Sequence, residues 1–435
     1  MRRRLTPLRA LVAVQLVLLF GTGLATVLQF PVWALVDEGA HFDYVTRIAD
    51  EGRIPVLDRD LVSDDVQAIT EDVYPFPPRT GQREAGLAGE SYEAVQPPLY
   101  YVLAAPASLA VDDAQDRVTL LRALNLLLLF GTVVVLWRLS VAVCGRRAGL
   151  GAFAVALTTL LWPGVTVRAI TVSNAGLEIF ITTATLLVLW LALQRRSRGM
   201  LLFGGVMTGL VLLTSLKLIF VAPVLVGVAL RLATGPREER VAPAAAVTAV
   251  ALPVLVLLPW LIFNLHHYDA LTTTEAARAL QSRLLGLADQ RFGLADLPGK
   301  DRVLLRGLVP EEWWRVYLDR PASVASDAAM VLLIGVPAGL GLLLPRGLRG
   351  RAFGVLVAPL ALGIAMINVT LVAADWDTAG PRYLYPALPA FGVFAALALL
   401  RRFPRVVARP WAAAAVTVTL AGLWAYLSTI TPFAP

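Results

Sequence analysis

Long apolar stretches separated by short polar segments dominate the hydrophobic pattern of this chain. Stretches of spanning length occur at about eleven places, namely 10–31, 118–143, 148–166, 175–193, 200–215, 217–233, 242–264, 322–344, 352–373, 383–400 and 411–430. Because roughly 20 apolar residues in a helix cross the hydrocarbon core of a bilayer, each stretch predicts a transmembrane helix. The pattern therefore predicts an all-α polytopic membrane protein.

Composition and charge sharpen this prediction. Hydrophobic residues make up 57% of the chain and charged residues 16%, and the mean hydropathy is +0.70. Arginines cluster in alternate connections, at 2–4, 146–147, 195–198, 231–240, 346–351 and 401–409. Arginine-rich connections are typical of the cytoplasmic side, so we expect an integral plasma-membrane protein with a cytoplasmic N-terminus. Because membrane orientation accounts for these arginines, the net charge of +7 gives no reason to expect nucleic acid as a partner.

The connections on the opposite side differ greatly in length. The segments 34–117 and 265–321 are long, whereas the other outer turns contain a few residues each. Long ordered connections are where membrane enzymes tend to carry their functional groups. We therefore expect residues 1–435 to form a single transmembrane domain whose active site lies on the extracytoplasmic face.

Two adjacent carboxylates follow the first predicted span. If residues 37–44 form a helix, Asp37 and His41 lie on one face, and Glu38 lies one position around the helix. A carboxylate there could act as general base towards an acceptor hydroxyl, and its neighbour could help to hold a divalent cation on a phosphate. A solvated acidic helix start that complements the helix dipole is the alternative.

A second group of polar residues precedes a short apolar helix. Two prolines fix a turn within residues 92–101 and leave Glu93 and Gln96 facing outward. Prolines at a helix start are common, so part of this motif is explained by the turn alone. We expect the apolar helix that follows to lie in the membrane interface on the outer face.

The turn between the third and fourth spans carries a third group. Asn174 lies in this turn, with Arg168 nearby and Glu178 one turn deeper. A helix cap explains Asn174 about as well as a ligand does. Glu178 is harder to explain structurally, because a carboxylate inside a span is costly unless it is paired or lines a polar cavity.

Two cationic residues at outer boundaries suit a lipid phosphate. Lys217 lies between two apolar segments, where its ammonium could neutralise a phosphate beside acyl chains. Arg382 precedes the tenth span and could grip a phosphate with its forked guanidinium. Snorkelling to the headgroups is the alternative for Lys217, and an interfacial position beside aromatic residues is the alternative for Arg382.

Histidines raise the question of a metal. The three histidines, His41, His266 and His267, all fall on the expected outer side, as does Glu93. Adjacent histidines do not easily ligate one ion together, so we expect at most one of the pair, His266, to take part. Interfacial histidines without any ligand are the alternative.

The chain shows no Walker loop, dinucleotide-binding fingerprint, nucleophile elbow or metalloprotease helix.

The order of these motifs resembles that of the GT-C superfamily of membrane glycosyltransferases, which includes the protein O-mannosyltransferases and the lipid A aminoarabinose transferase. The resemblance covers residues 10–400 and rests on short motifs. They are the acidic pair at 37–38, Gln-Pro-Pro-Leu-Tyr-Tyr at 96–101, Ser-Asn at 173–174, Lys217, and Arg-Tyr-Leu-Tyr-Pro-Ala-Leu-Pro at 382–389.

This resemblance implies transfer of a sugar from a polyprenyl-phosphate donor to a lipid, glycan or protein acceptor, with inversion at the anomeric carbon. It implies that Asp37 is the base or positions the acceptor, with Glu38 beside it. The expected sites are Lys217, Arg382 and Arg168 for the donor phosphate, Glu93, Gln96, Tyr100, Asn174 and Tyr383 for substrate, and His266, Glu93 and His41 for a divalent metal ion.

The chain also departs from the family pattern. Val95 stands where relatives often have a basic residue or histidine, and Ala175 follows Asn174 where relatives often have aspartate. Two rival functions therefore stay open, a lipid or solute transporter or flippase, and a non-catalytic subunit of envelope synthesis. A transporter would predict related halves and acids near the midplane, whereas the polar residues here cluster towards one face.

Overall fold

The structure is a computed structural model that describes residues 7–30, 32, 37–57, 59–63, 66, 91–236, 240–273, 335–374 and 381–402. Several sequence predictions lie outside these residues. They include the span 411–430, most of the span 322–344, and most of the segments 265–321 and 64–90 of the outer connections.

The described residues form helices and contain no β-strand, which confirms the all-α prediction. The α-helices are α1 (Pro7–Gln29), α2 (Glu38–Glu51), α3 (Leu99–Ser108), α4 (Ala114–Leu160), α5 (Pro163–Ile170), α6 (Ala175–Arg195), α7 (Arg198–Thr214), α8 (Val221–Ala233), α9 (Pro243–Tyr268), α10 (Val336–Gly341), α11 (Arg346–Ala352), α12 (Ala358–Ala374) and α13 (Leu388–Arg402). Short 3₁₀ turns cover Tyr92–Val95, Leu216–Phe220 and Pro381–Ala387, and a π-helical turn covers Phe353–Val357.

Seven helices in the described part of the chain are long and apolar enough to cross a membrane, so the protein is an integral membrane protein. One of them, α4, joins two predicted spans that meet at Gly145, where φ is 79° and ψ is 164°. The second of these spans ends earlier than predicted, because Pro163 starts the separate helix α5. The predicted span 200–215 corresponds to α7, which at 17 residues is shorter than the seven spanning helices.

Small residues allow α7 and α9 to cross closely. A Cβ atom built on Gly205 would collide with the carbonyl oxygen of Ala249, and one on Gly209 would lie 2.6 Å from the Cβ atom of Val256. Two glycines four residues apart are typical of helix pairs in membranes. Lipid tails are as apolar as helix side chains, so the hydrophobic effect does not drive the helices together, and close backbone approach stabilises the pair through dispersion instead.

Three helices carry arginine at one end and polar pocket-forming residues at the other. Helix α6 starts one turn before Glu178 and ends at Arg195. Helix α8 follows the turn that contains Lys217 and carries Arg231 in its last turn. Helix α13 follows the turn 381–387 and ends at Arg402. The arginine-rich ends and the pocket described below therefore lie at opposite ends of the same helices.

Candidate active site

A pocket lies where five chain segments meet. These segments are the start of α2, the turn 92–95, the connection from α5 to α6, the turn 216–220 and the turn 381–387. Its charged lining residues are Asp37, Glu38, Glu93, Glu178, Arg168, Lys217 and Arg382, together with His41.

Asp37 lies at the N-terminus of α2 in a left-handed backbone conformation, with φ 82° and ψ −15°. This conformation is uncommon outside glycine, although aspartate tolerates it better than most residues. The Asp37 carboxylate does not cap its own helix. Its Oδ1 instead accepts a hydrogen bond from the Tyr92 hydroxyl at 2.9 Å, and its Oδ2 accepts one from Nη1 of Arg382 at 2.8 Å.

These partners keep Asp37 ionised. Burial alone would raise the pKa of Asp37, but the charges of Arg382 and His41 and the hydrogen bonds from Arg382 and Tyr92 outweigh it, and the pKa falls to about 2. Burial, together with the negative charges of Asp37 and Glu93, raises the pKa of Tyr92 well above its usual value. The Tyr92 hydroxyl therefore stays protonated and donates to the carboxylate.

Glu38 has different partners from its neighbour. Its Oε1 accepts from Nε of Arg122 at 2.8 Å and from the backbone N–H of Val172 at 2.9 Å, and its Oε2 accepts from Nη2 of Arg122 at 2.6 Å. The side chains of Glu38 and Arg122 are 1% and 2% exposed. Arg122 also donates to the carbonyl oxygen of Phe30. A catalytic role for Glu38 stays a prediction, and these contacts favour a role in holding the site together.

His41 and Glu93 form a second polar pair in the pocket. His41 Nε2 lies 3.8 Å from Glu93 Oε1, and His41 Nδ1 lies 2.8 Å from the Tyr101 hydroxyl. The third expected metal ligand, His266, is exposed at the end of α9 beside His267 and does not line this pocket. In the part of the chain that the structure describes, no group of three histidine, cysteine or acidic residues could hold a metal ion. The expected three-residue metal site is therefore not assembled there.

The cationic side of the pocket is built around Tyr383. The Lys217 ammonium lies 4.8 Å from the centre of the Tyr383 ring, and the Arg382 guanidinium lies 5.2 Å from it. Nη2 of Arg382 also donates to the Tyr383 hydroxyl at 3.3 Å. Arg168, in the last turn of α5, lines the same pocket. The three residues expected to bind a donor phosphate thus share one pocket.

The residues expected to bind substrate divide into two groups. Asn174, Glu93 and Tyr383 line the pocket, and Asn174 also donates to the carbonyl oxygen of Thr214 at 3.2 Å. Gln96 and Tyr100 are not among its lining residues. The backbone carbonyl oxygen of Gln96 accepts from Tyr44, and the Tyr100 hydroxyl contacts Asn125. Because Tyr100 is only 1% exposed, it packs behind the pocket instead of facing a ligand.

Sequence reasoning missed two contributors to this site. Tyr92 lies within a motif that the sequence singled out, but nothing marked its hydroxyl as a partner of Asp37. Arg122 lies inside an apolar stretch, and an arginine within a predicted span is by itself a signal for a buried partner or a polar cavity. That signal could have found Arg122, although it would not have identified Glu38 as the partner.

No protein-family model matches the chain, and no curated protein matches it. Similar solved structures include an oligosaccharyltransferase of Archaeoglobus fulgidus in complex with Zn and sulfate, with a TM-score of 0.46 and 17% identity. That similarity covers 94% of this chain and 52% of the other. ArnT from Cupriavidus metallidurans in the apo state has a TM-score of 0.49 and 16% identity, with 90% of this chain and 59% of the other covered.

ArnT bound to undecaprenyl phosphate has a TM-score of 0.46 at 16% identity, and 90% of this chain and 60% of the other are covered. This chain therefore spans between half and three fifths of the length of these structures.

Proposed function

We propose that this protein is a GT-C-type glycosyltransferase that moves a sugar from a polyprenyl-phosphate donor to an acceptor. The observation that carries the proposal is the shared pocket, in which the Asp37 carboxylate lies at one side of a cleft whose other charged residues include Arg168, Lys217 and Arg382. A carboxylate facing a cluster of cations is what an acceptor hydroxyl and a leaving phosphate require.

The proposed reaction is a single displacement. The acceptor oxygen attacks the anomeric carbon, and the bond between this carbon and the phosphate oxygen breaks. The electron pair of the broken bond leaves with the polyprenyl phosphate, whose charge Arg168, Lys217 and Arg382 stabilise. The acceptor proton passes to Asp37. Attack from the face opposite the phosphate inverts the configuration at the anomeric carbon.

Arg382 links donor binding to the basicity of Asp37. Arg382 donates to Asp37 in the structure, and this contact helps to keep the pKa of Asp37 low. A carboxylate with such a low pKa is a weak base. A donor phosphate that draws Arg382 towards itself would remove this contact and make Asp37 more basic. Donor binding would thereby prepare the base for the acceptor.

The polarity of the helices supports an extracytoplasmic position for the pocket. Arginine-rich ends are typical of the cytoplasmic side, and the pocket lies at the opposite ends of α6, α8 and α13. The N-terminus would then be cytoplasmic, as the sequence predicts. A divalent metal stays a separate prediction. His41 and Glu93 could supply two ligands, and no step of the proposed reaction depends on such an ion.

The deciding experiment measures sugar transfer by the purified full-length chain in liposomes that contain radiolabelled polyprenyl-phosphate sugars and membrane acceptors. Asp37→Asn should lower turnover by about 10²–10⁴-fold, because the amide does not accept the proton. Asp112→Asn is the matched control, since Asp112 is an exposed carboxylate that does not line the pocket. Equal turnover of Asp37→Asn and the control would overturn the assignment. Movement of an unmodified lipid across the bilayer without transfer would instead favour a flippase.

A further inference from the structure

Glu178 is a buried carboxylate that the proposed reaction does not use. It lies in the first turn of α6, lines the pocket and is 7% exposed. Its Oε1 atom is buried and has no hydrogen-bond partner among the residues that the structure describes. The backbone N–H of Glu178 already donates to the carbonyl oxygen of Asn174 at 2.8 Å. Nothing in its own turn therefore satisfies this oxygen.

The other acids that line the pocket each have a partner. Asp37 pairs with Arg382 and accepts from Tyr92, and Glu38 pairs with Arg122. Oε1 of Glu93 lies 3.8 Å from His41, while its Oε2 is buried without a hydrogen-bond partner among the described residues, as Oε1 of Glu178 is. Glu178 contrasts with all three, because none of the ion pairs among the described residues includes it. This contrast singles out Glu178 within the pocket.

A purely structural role accounts poorly for Glu178. The dipole of α6 favours a negative charge in its first turn, but this effect is modest and provides no hydrogen bond to Oε1. A buried carboxylate oxygen without a donor is destabilising, because it has lost its hydration without replacement. Such a group is retained at a functional site when a ligand supplies the missing donor.

We propose that Glu178 binds the sugar of the donor by accepting hydrogen bonds from its hydroxyl groups. The inference rests on the proposed function, because it assumes that the donor phosphate lies at the cationic residues of the same pocket. A sugar linked to that phosphate would have hydroxyl donors within the cleft, and Oε1 of Glu178 is a buried acceptor without a partner among the described residues. Glu178 would then be a specificity-determining residue that recognises the sugar of the donor and not its phosphate.

A metal ion is the other ligand that a free carboxylate could take. The described residues contain no group of three metal-ligating side chains, so Glu178 has too few companions there to hold such an ion. A hydroxylated sugar needs only acceptors at hydrogen-bond distance, and Asn174 at the start of the same helix adds an amide to the lining. The geometry therefore favours the sugar.

The test compares binding of two kinds of probe to the full-length protein in nanodiscs. One probe is undecaprenyl phosphate, and the others are undecaprenyl-phosphate glucose, galactose and mannose. Wild-type protein should bind at least one of the sugar-bearing lipids more tightly than undecaprenyl phosphate. Glu178→Gln should reduce this sugar-dependent gain by about tenfold, because a charged acceptor is lost. Its affinity for undecaprenyl phosphate should stay unchanged.

A second variant separates ligand binding from a structural role. Glu178→Met has a similar size and removes the unpaired charge, so it should raise the melting temperature of the unliganded protein while abolishing the sugar-dependent gain. A structural role predicts a lower melting temperature instead. Leu177→Met, a substitution of a buried neighbour in the same turn, is the control and should keep the gain.

The outcomes distinguish the two proposals. A sugar-dependent gain that persists in Glu178→Gln and Glu178→Met would overturn the role of Glu178 and leave the proposed function standing. Wild-type protein that binds none of the four lipids would overturn the proposed function, and the role of Glu178 with it. Tight binding of undecaprenyl phosphate without any gain from the three sugars would overturn the role of Glu178 alone. Mn²⁺ binding that disappears in Glu178→Gln, with the sugar-dependent gain intact, would assign Glu178 to a cation.

Discussion

The two ion pairs at the start of α2 involve neighbouring acids and yet have very different surroundings. In the Glu38–Arg122 pair the side chains are 1% and 2% exposed, and Arg122 uses two of its nitrogen atoms to contact the carboxylate. In the Asp37–Arg382 pair they are 15% and 35% exposed, and one nitrogen makes the contact. The inner pair fixes α2 against α4, whereas the outer pair remains accessible to a ligand.

This difference explains how adjacent residues could divide the work of the site. A buried pair that is fully hydrogen-bonded has no low-energy alternative, because either charge alone would be stranded away from water. A partly exposed pair can exchange one partner for a ligand at little cost, since water and the ligand replace what is lost. We therefore assign the proposed chemistry to Asp37, whereas Glu38 anchors the start of α2, where Asp37 lies.

Breaking the inner pair should have the largest effect. Arg122→Met leaves Glu38 buried without a cation and should lower the free energy of unfolding by about 3–5 kcal/mol. Thermal unfolding in detergent micelles measures the loss, and Arg346→Met, at an exposed arginine, is the control. The double variant Glu38→Met/Arg122→Met should recover part of the lost free energy of unfolding, because neither buried charge then lacks its partner. An Arg122→Met variant as stable as its control would show that the pair does not hold the fold.

Breaking the outer pair should affect turnover and leave stability nearly unchanged. Asp37→Asn should change the free energy of unfolding by at most about 1 kcal/mol, because partly exposed pairs contribute little. The same thermal unfolding assay as for Arg122→Met gives a direct comparison. A loss as large as that of Arg122→Met would mean that the two pairs have the same structural role, and the proposed division of work would fail.

Removing the cation of the outer pair should shift the pH dependence. Because the pKa of Asp37 is lowered to about 2, its ionised form stabilises the protein fully above the usual value of 3.8, and this stabilisation is lost as the pH falls towards 2. Arg382→Gln removes the charge of Arg382, which is the largest of the interactions that lower the pKa of Asp37. The acid limb of the profile of kcat/KM for the donor, which reports the free enzyme, should then move to higher pH, whereas Arg346→Gln should leave it in place. An unchanged limb would contradict the coupling of Arg382 to Asp37.

The smallest effect is expected for the hydroxyl that contacts Asp37. Tyr92→Phe removes one hydrogen bond to the carboxylate and should lower turnover by a factor of about ten or less. It should also raise the pKa of Asp37, but less than Arg382→Gln does. Profiles of kcat/KM for the donor against pH, measured side by side for both variants, test this order. Tyr44→Phe serves as a control, since the Tyr44 hydroxyl donates to a backbone carbonyl oxygen instead of Asp37.

Much of the fold could be predicted from the sequence, because the bilayer imposes a simple rule. A span needs about 20 apolar residues, so apolar length alone located α1, α6 and α9 within a few residues. The sequence did not predict that α5 would form a separate helix at Pro163 or that Gln96 and Tyr100 would stay outside the pocket lining. The first follows from Pro163, a local helix-start signal that apolar length alone ignores. The second depends on how neighbouring helices pack, and a local pattern contains no information about that packing.

The sequence by itself therefore determined the helical membrane class, the ends of several spans and the residue types available for chemistry at those ends. Only the tertiary structure decided which of these residues meet. Asp37 and Arg382 are 345 positions apart, and Glu38 and Arg122 are 84 positions apart. Apolar periodicity fixes each helix separately, whereas the contacts between their ends follow from helix packing. The two acids of one dipeptide thus differ because packing gave them different partners.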